Sequence, residues 1–196
     1  MFAFTNEKER VIMRKFLSVI CVAGIAACMS GCGYDVAVSG SVVESVTETV
    51  DPEQKTSEAN TEAVELHKAL NAVLTDMFGY DKTFDVSGVL KVKYDSGADR
   101  IMVKSESDSE WQTGNVYGCD FDKFAEELKI KYPELPQLER AEMSYVTCAF
   151  VCVALITPEG VCGTYPKVID AKTEELINGE ENYEGLYERS LKTVML

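Results

Sequence analysis

The chain has 196 residues, and its 33 acidic residues outnumber the 19 basic ones to give a net charge of −14. This charge argues against a nucleic-acid-binding protein, because binding to phosphates depends on clustered lysine and arginine. A hydrophobic content of 46% over this length is sufficient for one domain with its own core.

The first 32 residues follow the order of a secretory signal peptide. Arg14 and Lys15 precede an apolar run over residues 16–27, and the small residues of Met29-Ser30-Gly31-Cys32 come next. A basic region, an apolar region and a small-residue cleavage site are the three parts of such a signal. The apolar run is shorter than the roughly 20 residues that a membrane-spanning helix needs.

Residues 13–32 resemble the lipobox signal peptide of bacterial lipoproteins. The resemblance implies cleavage between Gly31 and Cys32, and acylation of Cys32, for example with palmitate. The mature protein would then be anchored by lipid at the extracytoplasmic face of the cell membrane. Met29 stands where family members more often have leucine, and a plain secretory signal or an uncleaved anchor are the alternatives. No family is recognised for the rest of the chain.

The sequence also predicts the start of the signal and the charge of the mature protein. Glu7 and Glu9 do not fit a basic leader, so translation is predicted to start at Met13. Removing residues 1–31 takes away four basic and two acidic residues and leaves a charge of −16, which disfavours electrostatic binding to anionic lipids. The acyl chains would therefore provide the membrane attachment.

Behind Cys32 the composition is typical of a linker. Residues 36–60 are rich in Ser, Thr, Glu and Val and contain no aromatic residue. We interpret residues 32–60 as a flexible acidic tether, with a short exposed strand as the alternative, and residues 61–196 as one globular domain.

The first half of this domain predicts a helix, two strands and a second helix. Apolar residues recur at steps of three and four over residues 61–78, which predicts a helix that Gly79 ends. Alternation over residues 84–94 predicts a half-buried strand, and its antiparallel partner is predicted over 100–105. Residues 120–131 predict a helix that Asp120 or Asp122 caps.

The second half starts with the most hydrophobic segment behind the signal, residues 143–156. Both of its faces are apolar, which predicts one central strand covered on both sides. Residues 161–169 should return as an edge strand, because Pro166 cannot donate to a ladder. Helices are predicted over 170–177 and 181–196. The order α-β-β-α-β-β-α predicts an α+β fold, an antiparallel sheet with helices packed against it.

Three features are candidates for binding a ligand. Trp111 and Tyr117 lie on a glycine-bearing segment and are a candidate ligand surface, with packing against the core as the alternative. His67, the only histidine, is expected to be a surface or boundary imidazole, because no base–nucleophile partner can be named. The acidic residues 105–110 lack the spacing of a calcium loop and predict a solvated loop.

Export would allow Cys119, Cys148, Cys152 and Cys162 to form disulfides of unknown pairing, although buried thiols are slightly favoured. Within one strand Cys148 and Cys152 could not pair, because four residues at about 3.3 Å each exceed the disulfide range. The chain has no C-x-x-C pattern and no histidine cluster. We therefore assign no metal and no cofactor.

The sequence contains none of the common catalytic motifs, so no catalytic residue is assigned. It predicts a membrane-anchored binding or assembly module that faces the cell wall or periplasm and recognises an envelope protein, peptide or glycan. The alternative is an exported hydrolase of envelope glycan or peptide that uses paired carboxylates, which leave no spacing signature. Two converging acids with different pKa values in a cavity would favour the hydrolase.

Overall fold

The computed structural model describes residues 51–79 and 84–196. Met13, Gly31, Cys32 and the predicted tether as far as residue 50 lie outside this range. The elements are helices α1 (Pro52–Phe78), α2 (Phe121–Lys131), α3 (Thr173–Ile177) and α4 (Gly179–Met195), strands β1 (Val89–Asp95), β2 (Arg100–Ser105), β3 (Asn115–Val116), β4 (Cys119–Asp120), β5 (Arg140–Val146), β6 (Ala149–Ile156) and β7 (Cys162–Tyr165), and a 3₁₀ turn (Leu135–Gln137).

Helix α1 begins at Pro52 and not at residue 61, so the predicted tether was wrong for its last residues. The Asp51 side chain accepts a hydrogen bond of 3.0 Å from the backbone N–H of Glu53, and proline is favoured at the first helical position. Thr56 and Ala59 are buried. Residues 52–60 are therefore part of the folded domain.

The α+β fold predicted from the sequence is confirmed. Five strands form an antiparallel sheet in the order β2-β1-β5-β6-β7. β3 and β4, which the sequence patterns did not predict, pair as a small ribbon directly before α2. The side chain of Asp120 caps α2 as predicted, because it accepts hydrogen bonds from the N–H groups of Asp122 and Lys123.

The prediction of one strand over residues 143–156 was wrong, because the segment folds into a hairpin. Thr147 has a φ of +59°, and the N–H of Cys148 donates to the carbonyl of Val146 at 2.7 Å. The chain therefore reverses there, and β5 and β6 become antiparallel neighbours. β5 is the central strand of the sheet.

Helices cover β6 on both sides, as predicted for this segment. Helices α1 and α2 pack against one face of the sheet, the inner face. The side chains of Phe150, Val153 and Leu155 lie on this face and belong to the main core. Helix α4 covers the opposite, outer face. There the side chains of a second, smaller core meet, namely Cys152, Ala154, Ile156, Cys162, Leu176, Tyr183, Leu186 and Tyr187.

Several predicted boundaries differ from the observed ones. β1 starts at Val89 rather than residue 84, since Gly88 turns the chain with a φ of +83°. β7 ends at Tyr165, directly before Pro166, and is the predicted edge strand. The helix predicted over 170–177 is confined to α3, and the last helix begins at Gly179 rather than residue 181.

Two asparagines of α1 form hydrogen bonds with the sheet. Their partners are backbone groups that are not paired with a neighbouring strand. The side-chain amide of Asn71 accepts from the N–H of Phe150 at 3.0 Å and donates to the carbonyl of the same residue at 3.1 Å. The strand register shifts at this point, so β5 pairs with Phe150 and then with Cys152. Nearer the start of the helix, Asn60 accepts from the N–H of Thr164 on β7 at 3.0 Å.

The helix can approach β7 this closely because residue 163 is glycine. A Cβ atom on Gly163 would lie 2.0 Å from the carbonyl oxygen of Ala59 and 2.4 Å from its carbon. Both are backbone atoms of α1, which cannot move without displacing the helix. The small side chains of Ala59 and Ala63 are fully buried.

We predict that Gly163→Ala lowers the free energy of unfolding by about 3 kcal/mol, since it forces α1 away from β7. The matched control is Gly185→Ala in α4, where a Cβ meets no atom within 4 Å. That change should raise stability by about 0.5–1 kcal/mol, because alanine is the better helix former. Urea denaturation of both variants measures the difference. Equal stabilities would contradict the close contact.

Candidate functional site

The described residues do not include Cys32 or Gly31, so the predicted lipid attachment and cleavage point remain predictions. Among the helices of residues 51–79 and 84–196, none is long and apolar enough to cross a membrane.

Trp111 and Tyr117 make different contacts. The Lys93 ammonium lies 4.8 Å from the centroid of the Trp111 ring, which is a cation–π distance. The Tyr117 hydroxyl donates to the carboxylate of Asp108, and its ring packs against the main core. The Tyr117 ring therefore packs against the core, and a ligand surface formed by Trp111 and Tyr117 stays a prediction.

The acidic residues 105–110 form a turn that is stabilised by its own side chains. The Asp108 carboxylate accepts from the Ser105 N–H at 2.7 Å and from the Ser105 hydroxyl at 2.8 Å. The hydrogen bond from Tyr117 lowers the pKa of Asp108 and keeps it ionised. In the part of the chain that the structure describes, no group of three His, Cys, Asp or Glu side chains is arranged to hold a metal ion.

The four cysteines behind Cys32 are free thiols in the structure. Cys119, Cys152 and Cys162 are buried, and Cys148 is exposed at the turn between β5 and β6. Burial raises the pKa of Cys119 and of Cys162 to about 12 and that of Cys152 to about 11. These three thiols stay protonated near neutral pH and are poor nucleophiles. Cys148 lies in the turn and Cys152 in β6, so the two do not share one continuous strand.

His67 lies at the boundary between core and solvent, as predicted. Its Nε2 atom is 2.8 Å from the carbonyl oxygen of Phe150, to which it donates, and its ring centroid is 3.9 Å from that of Tyr165. Burial lowers the pKa of His67, so the imidazole is neutral near pH 7. These contacts give His67 a structural role beside Asn71 in the docking of α1 on β6.

The structure also gathers an acidic cluster that the sequence patterns did not predict. Four carboxylates raise the pKa of Glu62, and they lie on α1, in the loop after α2 and in the turn between β6 and β7. The members of the cluster are Glu58, Glu62, Glu65, Glu134 and Glu159. Spacings of four and three along α1 could have indicated its helical part, because such residues share a face.

Glu62 lies at the centre of the acidic cluster. Burial raises its pKa, and the charges of the other four carboxylates raise it further, with Glu159 first among them. No ion pair within the described residues involves any member of the cluster. Negative charge therefore accumulates around the half-buried Glu62, and none of it is ion-paired within the described residues.

Tyr132 adds a buried polar atom to this region. The side chain is 3% exposed, and its hydroxyl has no hydrogen-bond partner within the described part of the chain. Burial raises the pKa of Tyr132, and Glu62 is the carboxylate that contributes most to this shift, followed by Glu134 and Glu65. An unsatisfied buried hydroxyl costs about 1–3 kcal/mol, so it calls for an explanation.

Neighbouring backbone hydrogen bonds hold the loop segments of the cluster in place. The N–H of Tyr132 donates to Leu128 at 2.7 Å, and its carbonyl accepts from Leu135 at 3.1 Å. In the other turn, Gly160 donates to Thr157 at 2.9 Å. Tyr132, Glu134 and Glu159 are therefore presented by short, hydrogen-bonded turns and not by long loops.

The hydrolase alternative calls for two converging acids with different pKa values in one cavity. Glu62 is the described carboxylate whose pKa is raised. Carboxylates with a lowered pKa lie elsewhere, since Asp99 bonds to Tyr94 and Lys129, and Glu175 bonds to Arg189. Comparison with protein-family models, with curated proteins and with solved structures found no match. The hydrolase therefore stays an untested alternative.

We predict that Glu62→Gln stabilises the protein near pH 7 by about 0.5 kcal/mol, because it removes a charge that burial and the repulsion from Glu159 and the other three carboxylates disfavour. A raised carboxyl pKa in the folded state means that stability falls as pH rises from the ordinary value of 4.5 through the folded value. The gain should therefore vanish near pH 4. Urea denaturation at both pH values measures it, with the exposed Glu126→Gln as control. A gain that is equal at both pH values would contradict the electrostatic cause.

Proposed function

We propose that this protein is a lipid-anchored lipoprotein at the extracytoplasmic face of the cell membrane, where it acts as a binding or assembly module for an envelope protein, peptide or glycan. The observation that carries the proposal is the sequence Met29-Ser30-Gly31-Cys32 behind a basic and then an apolar segment. Cys32 stands where lipoproteins of this type carry their acyl chains.

The charge and the start of helix α1 support this arrangement. A charge of −16 after cleavage repels anionic headgroups, so the lipid on Cys32 would be the attachment. Helix α1 begins at Pro52 behind the Asp51 cap, so residues 33–50 lie between this cap and the lipidated cysteine. At 5–6 Å times the square root of its length, a flexible linker of this size reaches about 20–25 Å.

The uncompensated acidic cluster supports a binding role. Proteins keep costly, unpaired polar groups where function uses them, since a purely structural site would gain stability from replacing them. Glu62 and Tyr132 are such groups, because burial and like charges raise the pKa of Glu62 and the buried Tyr132 hydroxyl has no hydrogen-bond partner within the described residues.

We predict that Cys32→Ser abolishes incorporation of radiolabelled palmitate and moves the protein from the membrane to the soluble fraction. The domain should remain folded, because residues 51–79 and 84–196 contain its core. Cys28→Ser is the matched control, since it changes a cysteine in the same segment and should leave attachment intact. The assay is fractionation after a high-salt wash.

Two results would overturn the proposed anchor. A Cys32→Ser protein that stays in the membrane after the salt wash would show another attachment. Unchanged palmitate incorporation into that variant would show that a different residue is acylated.

A further inference from the structure

We propose that the outer face of β1 and β2 binds an acidic segment of a partner polypeptide. This surface, which we call the lysine face, consists of Lys91, Lys93, Met102, Lys104 and Trp111. The inference deepens the proposed function, on which it rests, because it gives the chemistry of the partner that the binding module recognises and the place where the partner binds.

The lysine face is a part of the sheet that α4 leaves uncovered. Lys91 and Lys93 alternate along β1 with side chains of the main core, and Met102 and Lys104 do so along β2. Alternate residues of a strand point to opposite faces, so these four lie on the outer face. Helix α4 packs on β6 and β7, at the other end of the sheet. Accordingly Lys91 is exposed, and the other three side chains are half-exposed.

The strand register brings the lysines together. Lys91 and Lys104 are directly opposite each other in the antiparallel pair of β1 and β2. The Cβ atoms of such a pair lie about 4.5–5.5 Å apart, and like charges in these positions are destabilising. Lys93 follows on the same face two residues along β1, at a spacing of about 6.8 Å. The backbone therefore holds three lysines within one small area.

Trp111 borders the lysines at the edge of the sheet. Val103 and Gln112 exchange two backbone hydrogen bonds of 2.9 and 2.8 Å, which hold the segment around Trp111 along β2. The Lys93 ammonium lies 4.8 Å from the centroid of the indole ring, and Met102 is opposite Lys93 in the register. The lysine face therefore combines cationic groups with an aromatic and a thioether side chain.

The three lysines have no counter-charge within the described residues. The ion pairs there involve other basic side chains and none of Lys91, Lys93 and Lys104. Glu142 is opposite Lys93 on β5, but it is paired with Arg140. One of the three donors of Lys104 is used by a backbone carbonyl at 2.8 Å. Carboxylates of a partner would supply the missing counter-charge and offset the repulsion between the opposite lysines.

The attraction acts over a short range. A net charge of −14 repels an acidic partner at a distance, and salt screens exposed charges beyond about 8 Å under physiological conditions. The partner is therefore held by local ion pairs together with apolar contacts to Met102 and Trp111.

A cavity between β1 and β5 borders the lysine face. Its volume is about 290 Å³, and Lys93 lines it together with Arg140 and Glu142 of β5. A concave border encloses a partner side chain on several sides, which a flat sheet face cannot do. The lysine face thus has both a charged surface and a recess for an anchoring side chain.

The chemistry of the surface favours an acidic polypeptide over a glycan. Ammonium and indole groups donate hydrogen bonds and do not accept them, and carboxylates only accept. Sugar hydroxyls, in contrast, need acceptors as well as donors on the protein. Tryptophan and methionine are enriched at protein–protein interfaces. Acidic residues at every second position of an extended chain also have the same spacing as Lys91 and Lys93.

Two other modes of association fit this surface less well. A symmetric contact between the lysine faces of two copies would set like charges against each other. Strand addition at β2 is hindered, because Gln112 forms hydrogen bonds with both backbone groups of Val103 and Asp108 accepts from the N–H of Ser105. The partner therefore meets the side chains of the lysine face.

The test measures binding of a defined peptide to the full chain in neutral detergent micelles by isothermal titration calorimetry. The probe is a capped peptide of alternating glutamate and threonine, and its control has glutamine in place of every glutamate. We expect the control to bind at least about ten-fold more weakly. Lys91→Gln/Lys104→Gln should weaken binding of the probe about ten-fold, since two charge pairs are lost, and Trp111→Leu about five-fold.

Three controls separate this site from other causes of binding. Lys123→Gln/Lys167→Gln removes the same charge from exposed positions and should change the affinity by less than about two-fold. Lys91→Gln/Lys104→Gln relieves repulsion and should melt at the wild-type temperature or above, so that weaker binding cannot result from unfolding. Polygalacturonate, an anionic polysaccharide, represents the glycan and should bind more weakly than the peptide.

Four results would overturn the inference. They are equal binding of the glutamine peptide, equal losses for the two double variants, wild-type affinity of Trp111→Leu, and binding of polygalacturonate at least as tight as that of the peptide. Because the titration is done in detergent, its failure leaves the Cys32 anchor untouched. Tight binding of the polysaccharide would overturn the inference and still support a binding module, so the two proposals fail separately.

Discussion

The docking of helix α1 on the far edge of the sheet is the contact on which the other features depend. The side chain of Asn71 forms hydrogen bonds with both the N–H and the carbonyl of Phe150, and that of Asn60 accepts a hydrogen bond from the N–H of Thr164. Side-chain amides thus replace a neighbouring strand where the ladder of β6 and β7 is incomplete. This pairing also protects the edge strand β7 from further strand addition. Gly163 permits the approach, since any larger residue would collide with the helix backbone.

This docking also sets the position of the acidic cluster. The helix brings its glutamates beside the turn between β6 and β7, so Glu159 acts on Glu62 more strongly than the neighbours on the helix itself. On the other side, Tyr132 ends α2 and packs into the main core with its ring. A single packing arrangement therefore places like charges and an unsatisfied hydroxyl together.

Patterns of neighbouring residues predicted much of the fold. They failed where a contact between distant segments determines the local structure. The strand predicted over residues 100–105 matched β2, and Asp120 capped α2 as expected. The start of α1 was missed because a segment rich in Ser, Thr and Glu is typical of a linker. The segment is helical because Asp51 caps it and because Ala59 is buried against β7. The β5–β6 turn was missed because Thr147 gives no glycine or asparagine signal. The spacing along α1 indicates only the helical part of the acidic cluster, and no spacing in the sequence reveals that Glu134 and Glu159 act on Glu62.

Native-state hydrogen exchange of the full chain tests the docking of α1 most directly. The amides of Phe150 and Thr164 bond to asparagine side chains rather than to a strand. If the helix is docked as described, both amides should exchange only through global unfolding. In Asn71→Ala the Phe150 amide should exchange at a lower free energy, while the Thr164 amide stays protected. Exchange of both amides in the wild-type protein at a free energy far below that of global unfolding would contradict this docking.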